Sequence, residues 1–106
     1  MSIYLNQYQH VAVETAEYQD KMYPIVSLIV EAAELADLYV KPYLRGDDEG
    51  RGPPREDVIS EAGDVLWNLA VLLHQEGISL SDVAEANMKK LKRRQENGTI
   101  QGSGNR

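Results

Sequence analysis

PIVSLIVEAAELADLYV, residues 24 to 40, reads as an apolar helix carrying a single acidic seam. Its polar side chains are Ser27, Glu31, Glu34 and Asp37, and no basic residue accompanies them. Steps of 4 and 3 place Ser27, Glu31 and Glu34 one above the other on a helix, and Asp37 extends the row. The other faces are apolar, which predicts a helix buried nearly all round with a narrow acid stripe inside.

The pattern occurs a second time. DVISEAGDVLWNLAVLL, residues 57 to 73, spaces Asp57, Glu61, Asp64 and Asn68 by 4, 3 and 4, again without a basic residue. Burying both helices requires them to pack on each other or on symmetry mates. Two carboxylates about 4 Å apart repel by about 4 kcal/mol at an effective dielectric near 20. Such groups either stay protonated or share a cation, and an all-oxygen cluster favours a hard one such as Mg²⁺ or Mn²⁺.

The rest of the chain reads as helix and turn. Residues 3 to 18 show apolar groups at helical spacing through Leu5, Tyr8, Val11 and Ala12. Pro24 suits the first turn of the acid helix. Lys41-Pro42 is expected to end or kink that helix near Val40, with Tyr43 and Leu44 adding at most a turn. RGDDEGRGPP, residues 45 to 54, is expected to form a mobile loop, short enough to make the two acid helices antiparallel neighbours. A third helix starts near Arg55 or Glu56 and stops at Gly77. Ser79, with Asp82 three residues on, predicts the start of a fourth, which runs to about Asn97-Gly98. The expected organisation is a helical domain over 1–98 and a flexible tail over 99–106.

A chain of 106 residues with a net charge of −6 builds a thin single core, so oligomerisation is the expected remedy. The charge argues against stable nucleic-acid binding. There is no cysteine, which removes disulfides, thiolate metal sites and thiol nucleophiles. No apolar run approaches about 18 residues and no signal-peptide pattern opens the chain, so the expectation is a cytoplasmic protein without a membrane span.

Six of the eleven basic residues fall in the last eighteen positions: Lys89, Lys90, Lys92, Arg93, Arg94 and Arg106. Asn87, Lys90 and Arg94 share one helical face. The plainer reading is a solvated basic helix end favoured by the helix dipole. Beside two acid stripes, however, the same face is what a polyphosphate needs, with a cation bridging its oxygens and Lys and Arg meeting the remaining charge.

EAAE at Glu31–Glu34 and EAGD at Glu61–Asp64 resemble the ExxE…ExxD signature of the MazG-like nucleoside triphosphate pyrophosphohydrolases. Tyr8-Gln9 and Thr15-Ala16 are similar to that family's first helix, EAGDVLWNLA to its third, and Asn87 with Lys90-Leu91 and Arg94 to its NxxKLxxR stretch. The tail NGTIQGSGNR resembles an RGxxxGxGDxR ending, with Asn105 where the Asp stands. Ala33 occupies a position where Gly is frequent. The resemblance spans nearly the whole chain and implies an all-α fold, a four-helix bundle completed by assembly as a homodimer or homotetramer. It implies that Glu31, Glu34, Glu61 and Asp64 hold Mg²⁺, with Mn²⁺ as the alternative ion, and that Asn87, Lys90 and Arg94 meet the triphosphate. It further implies hydrolysis of an NTP or dNTP to the monophosphate and pyrophosphate.

Within that reading Glu34 and Glu61 are equal candidates for the general base. Trp67 and Asn68 adjoin the acid stripe and are candidates to stack on and hydrogen-bond a base, as are Tyr8, Tyr18 and Tyr23. The plainer reading makes Trp67 a core residue and Asn68 a partner of a carboxylate. Asp37 and Asp57 end the stripes and are expected in solvent. His10 and His74 form no ExxH pair, which disfavours a di-iron bundle. Two competing functions stand beside the hydrolase: a phosphoribosyl-nucleotide pyrophosphatase of the same fold, and a non-enzymatic oligomeric module binding through the basic helix.

Overall fold

The computed structural model describes residues 2–46 and 52–98, which form four helices: α1 (Leu5–Glu14), α2 (Tyr23–Arg45), α3 (Arg55–Gln75) and α4 (Leu80–Glu96). The described residues contain no strand, so the all-α expectation holds. The expected tail, 99–106, and the centre of the expected loop, 47–51, lie outside the described residues.

Helix boundaries follow local chemistry. Helix α1 stops well short of residue 18, because Thr15 turns its hydroxyl back onto the Ala12 carbonyl at 2.7 Å and closes the last turn. Pro42 does not end α2. The helix continues through it to Arg45 and stops at Gly46, whose left-handed backbone (φ 73°) lets its N–H reach the Pro42 and Tyr43 carbonyls. A proline removes only its own bond to the carbonyl four residues back, and one turn from the C-terminus little helix remains to be disrupted. At the end of α3, Gly77 (φ 72°) donates to the His74 carbonyl and Ile78 to the Leu73 carbonyl, the paired closure that left-handed glycine permits.

The substantial packing is α2 on α3, α1 on α3, and α1 on α4. The buried apolar core lies where α1, the second half of α3 and the start of α4 meet. It consists of Ala12, Ala70, Val71 and Leu80, flanked by Tyr8, Tyr18, Trp67 and Leu73. Gln9, only 7% exposed, ties this corner together. Its Nε2 donates to the Ala70 and Ile78 carbonyls at 3.0 and 3.1 Å, and its Oε1 accepts from the Leu80 amide at 3.1 Å. Asn6 accepts from the Ser81 amide and Ser79 Oγ from the Asp82 amide, each at 3.1 Å. Side chains thus cap three free amides in the first turn of α4.

One expectation is corrected here. Helix α2 is not buried nearly all round within a single chain. Only the face toward α3 is covered, and Val26, Ile29, Val30, Tyr43 and Leu44 are all exposed. The radius of gyration is 16.7 Å, against about 13 Å for a compact domain near this length. The physical reason is that α1 packs on α3 and α4 packs on α1, so among the described residues no further element covers the outer face of α2.

Candidate active site

Packing α2 on α3 lays the two acid rows side by side. One carboxylate oxygen from each of Glu31, Glu34 and Glu61 falls within 4.8 Å of the others. The chain runs in opposite directions through the two helices, so Glu34 comes level with Glu61, Glu31 with Asp64, and Ser27 with Asn68. Asp64 stays exposed at the groove's edge, and its charge acts on both Glu31 and Glu61. Asp57, exposed as expected, adds a weaker effect on Glu61. Asp37 forms a surface ion pair with Lys41 at 3.6 Å.

Partial burial, followed by the neighbouring Glu34 carboxylate, raises the Glu31 carboxyl above its ordinary value; the same two causes, in the same order, raise Glu61. One carboxylate oxygen of each, Oε2, is buried with no hydrogen-bond donor among the described residues. A structural acid cluster is expected to recruit donors, whereas this one leaves two buried oxygens without them. The donor set is hard and all-oxygen, which fits a small divalent cation.

A cavity of about 190 Å³ opens beside the cluster, lined by Tyr23, Ser27, Glu31, Asp64, Trp67 and Asn68. Trp67 has both of its candidate positions at once, flanking the core and forming a cavity wall. Its indole N–H donates to Thr15 Oγ1 at 2.8 Å, which pins the ring to the end of α1. Tyr23 stacks on Tyr18 with centroids 5.5 Å apart. Tyr18 packs on the core, and burial raises its hydroxyl pKa. Tyr8 also packs on the core; burial and then the nearby Asp64 carboxylate raise its hydroxyl pKa.

The basic face lies elsewhere in the single chain. Asn87 and Lys90 line a separate, mostly apolar hollow on α4 with Val83 and Ala86, and Arg94 is half-buried one turn beyond Lys90. None of the three lines the cavity at the acid cluster. His10, paired with Glu14 at 3.6 Å, and His74 are exposed, away from the carboxylates.

Sequence reading missed Gln9, Thr15 as the anchor of Trp67, and Ser27 as a cavity wall. Ser27 carried a signal, standing one turn before Glu31 on the acid row. Gln9 carried a fainter one, a polar residue in line with Leu5, Ala12 and Ala16 on the apolar face of α1.

The model of the MazG nucleotide pyrophosphohydrolase domain matches residues 9–99 of this chain. Gene 37 protein of Mycobacterium phage L5 is 36% identical over 113 aligned residues, spanning 96% of this chain and 97% of that protein. The uncharacterized protein YvdC of Bacillus subtilis (strain 168) is 38% identical over 73 residues, spanning 63% of this chain and 68% of its own length. No solved structure matches the chain.

Proposed function

This chain belongs to the MazG nucleotide pyrophosphohydrolase family, and we propose that it is a Mg²⁺-dependent enzyme that hydrolyses an NTP or dNTP between the α and β phosphates. The observation that carries this reading is the convergence of Glu31, Glu34 and Glu61, with two of their buried oxygens unmet by any donor. Glu31, Glu34, Glu61 and Asp64 would hold the ion. When bound, it supplies positive charge to the phosphate oxygens and makes water acidic enough to attack near neutral pH. Mn²⁺ satisfies the same donor set.

Glu34 or Glu61 takes the proton from a water that attacks the α-phosphorus in line. The bond to the bridging oxygen breaks, and pyrophosphate leaves with the nucleoside monophosphate as the second product. Asn87, Lys90 and Arg94 meet the triphosphate charge in the assembled protein. Assembly as a homodimer or homotetramer covers the outer face of α2, where Val26, Ile29 and Val30 otherwise meet water.

The decisive assay measures the products of all common NTPs and dNTPs with Mg²⁺, alongside phosphoribosyl-nucleotide substrates. Monophosphate and pyrophosphate from the former support the reading; pyrophosphate release from the latter alone moves the activity to that substrate class. If no ion or nucleotide shifts the melting temperature and nothing is hydrolysed, the enzyme reading falls in favour of an interaction module.

A further inference from the structure

Asn68 stands one helical turn beyond Asp64, is 3% exposed, and lines the cavity beside the acid cluster. Its Nδ2 donates to the Asp64 carbonyl at 2.8 Å, while its Oδ1 is buried and has no partner among the described residues. Turning the amide over would set its oxygen against a carbonyl oxygen, so the orientation of the amide is fixed and its acceptor end is left over. An unmet buried acceptor is costly.

The rest of the wall has the same polarity. Glu31 and Asp64 are acceptors. Trp67 has spent its one donor on Thr15. Among the described residues, the donors left to this wall are the hydroxyls of Ser27 and Tyr23, which rotate, and the second N–H of Asn68 Nδ2. At about 190 Å³ the cavity is below the roughly 300–1,000 Å³ of a site for a drug-sized ligand, so it suits one ring system rather than a whole nucleotide.

We propose that this cavity receives the nucleobase and that Asn68 Oδ1 selects an exocyclic amino group at the ring edge farthest from the sugar. This rests on the hydrolase reading above. Glu31 and Asp64 mark the phosphate end of the cavity, and Asn68 lies a turn farther along α3, where the far edge of a base arrives. Cytosine and adenine present an amino group there. Uracil, thymine and guanine present a keto oxygen, which meets an acceptor with an acceptor. Because Asn68 is screened from solvent, water does not repair the mismatch, and a site built around one polar contact rejects the analogue that lacks it. Asn68 is thus a specificity residue, with its amide orientation set by the backbone of its own helix.

The test uses the full chain with Mg²⁺ and two substrate pairs that differ at this edge, dCTP against dUTP and ATP against ITP. We expect kcat/KM to favour the amino member of at least one pair by about 10- to 100-fold, equivalent to 1–2 factors of ten. The pair that shows it separates a one-ring from a two-ring occupant. In Asn68→Leu, with helicity and the Mg²⁺-induced melting shift retained, the ratio should fall to within about threefold. A 2-pyrimidinone deoxynucleoside triphosphate, which lacks the amino group altogether, should behave like dUTP on the wild-type protein, a check that needs no variant to fold. Hydrolysis with both wild-type ratios within about twofold, or a preference that survives in Asn68→Leu, overturns the assignment and leaves the hydrolase reading standing. If nothing is hydrolysed, the hydrolase reading falls, and the same pairs are compared as α,β-methylene analogues in calorimetric binding; equal affinities then overturn this assignment too.

Discussion

The two halves of α3 treat polar atoms in opposite ways. Its second half, from Asn68 to Gln75, lies in the corner with α1 and α4, where side-chain amides are used to saturation. Gln9 makes three hydrogen bonds, Gln75 accepts from Tyr18 and donates to the Lys21 carbonyl, and the first amides of α4 are capped by Asn6, Gln9 and Ser79. Its first half, facing α2, leaves Glu61 Oε2 and, across the groove, Glu31 Oε2 without a donor. Asn68 stands at the border and shows both behaviours in one amide. A chain that closes nearly every bond in the corner leaves carboxylate oxygens without donors in the groove, the contrast on which the proposed ion site rests.

The largest effect expected from breaking this contrast is on turnover. Glu34→Gln, Glu61→Gln or Asp64→Asn should each lower kcat by about two orders of magnitude or more while circular dichroism stays unchanged. Activity near wild type in Asp64→Asn would remove Asp64 from the ion's ligands.

Next comes the corner. Gln9→Leu leaves two carbonyls and one amide unmet in a buried setting and should cost about 3 kcal/mol in chemical denaturation. A loss below about 1 kcal/mol would mean that water replaces the amide.

A smaller effect separates groove from corner by pH. Glu31 and Glu61 have pKa values raised above the ordinary 4.5, so their folded forms hold protons more tightly than the unfolded chain does. Their contribution to stability is fully present below 4.5 and is lost as pH rises through the raised values. Without divalent ions, Glu31→Gln/Glu61→Gln should therefore melt a few degrees above wild type at pH 7, with the gap closing toward pH 4. Added Mg²⁺ should reverse the order at pH 7 by stabilising only the wild type. A metal-free gap that does not change with pH would show that neither group holds its proton more tightly in the folded chain.

The smallest expected effect is at the surface pairs. Asp37→Ala and His10→Ala should each change stability by less than about 1 kcal/mol, because both pairs are solvated. A larger loss from Asp37→Ala would extend the functional groove along α2.

Much of the site was legible because helical spacing alone aligns Glu31 with Glu34 and Glu61 with Asp64. The absence of basic residues between them marked both stripes as special. The end of α3 at Gly77 and the Ser79 cap were readable for a similar reason, since each depends on atoms a few residues apart. The passage of α2 through Pro42 was not readable, because the penalty depends on how much helix follows. Gln9 was legible only as an oddity on an apolar face, since its partners lie 61 to 71 residues away.

The order of residues along the chain carries the chemistry of each helix: which faces are greasy, which carry carboxylates, and where α3 ends and α4 begins. These are properties of neighbours along the chain. Packing between distant segments brings α2 and α3 together in the register that sets Glu34 level with Glu61, and places α4 on α1 with its basic face away from the acid groove. That outcome belongs to the competition among apolar faces for cover, in which α1 and α2 both pack on α3 and α4 packs on α1.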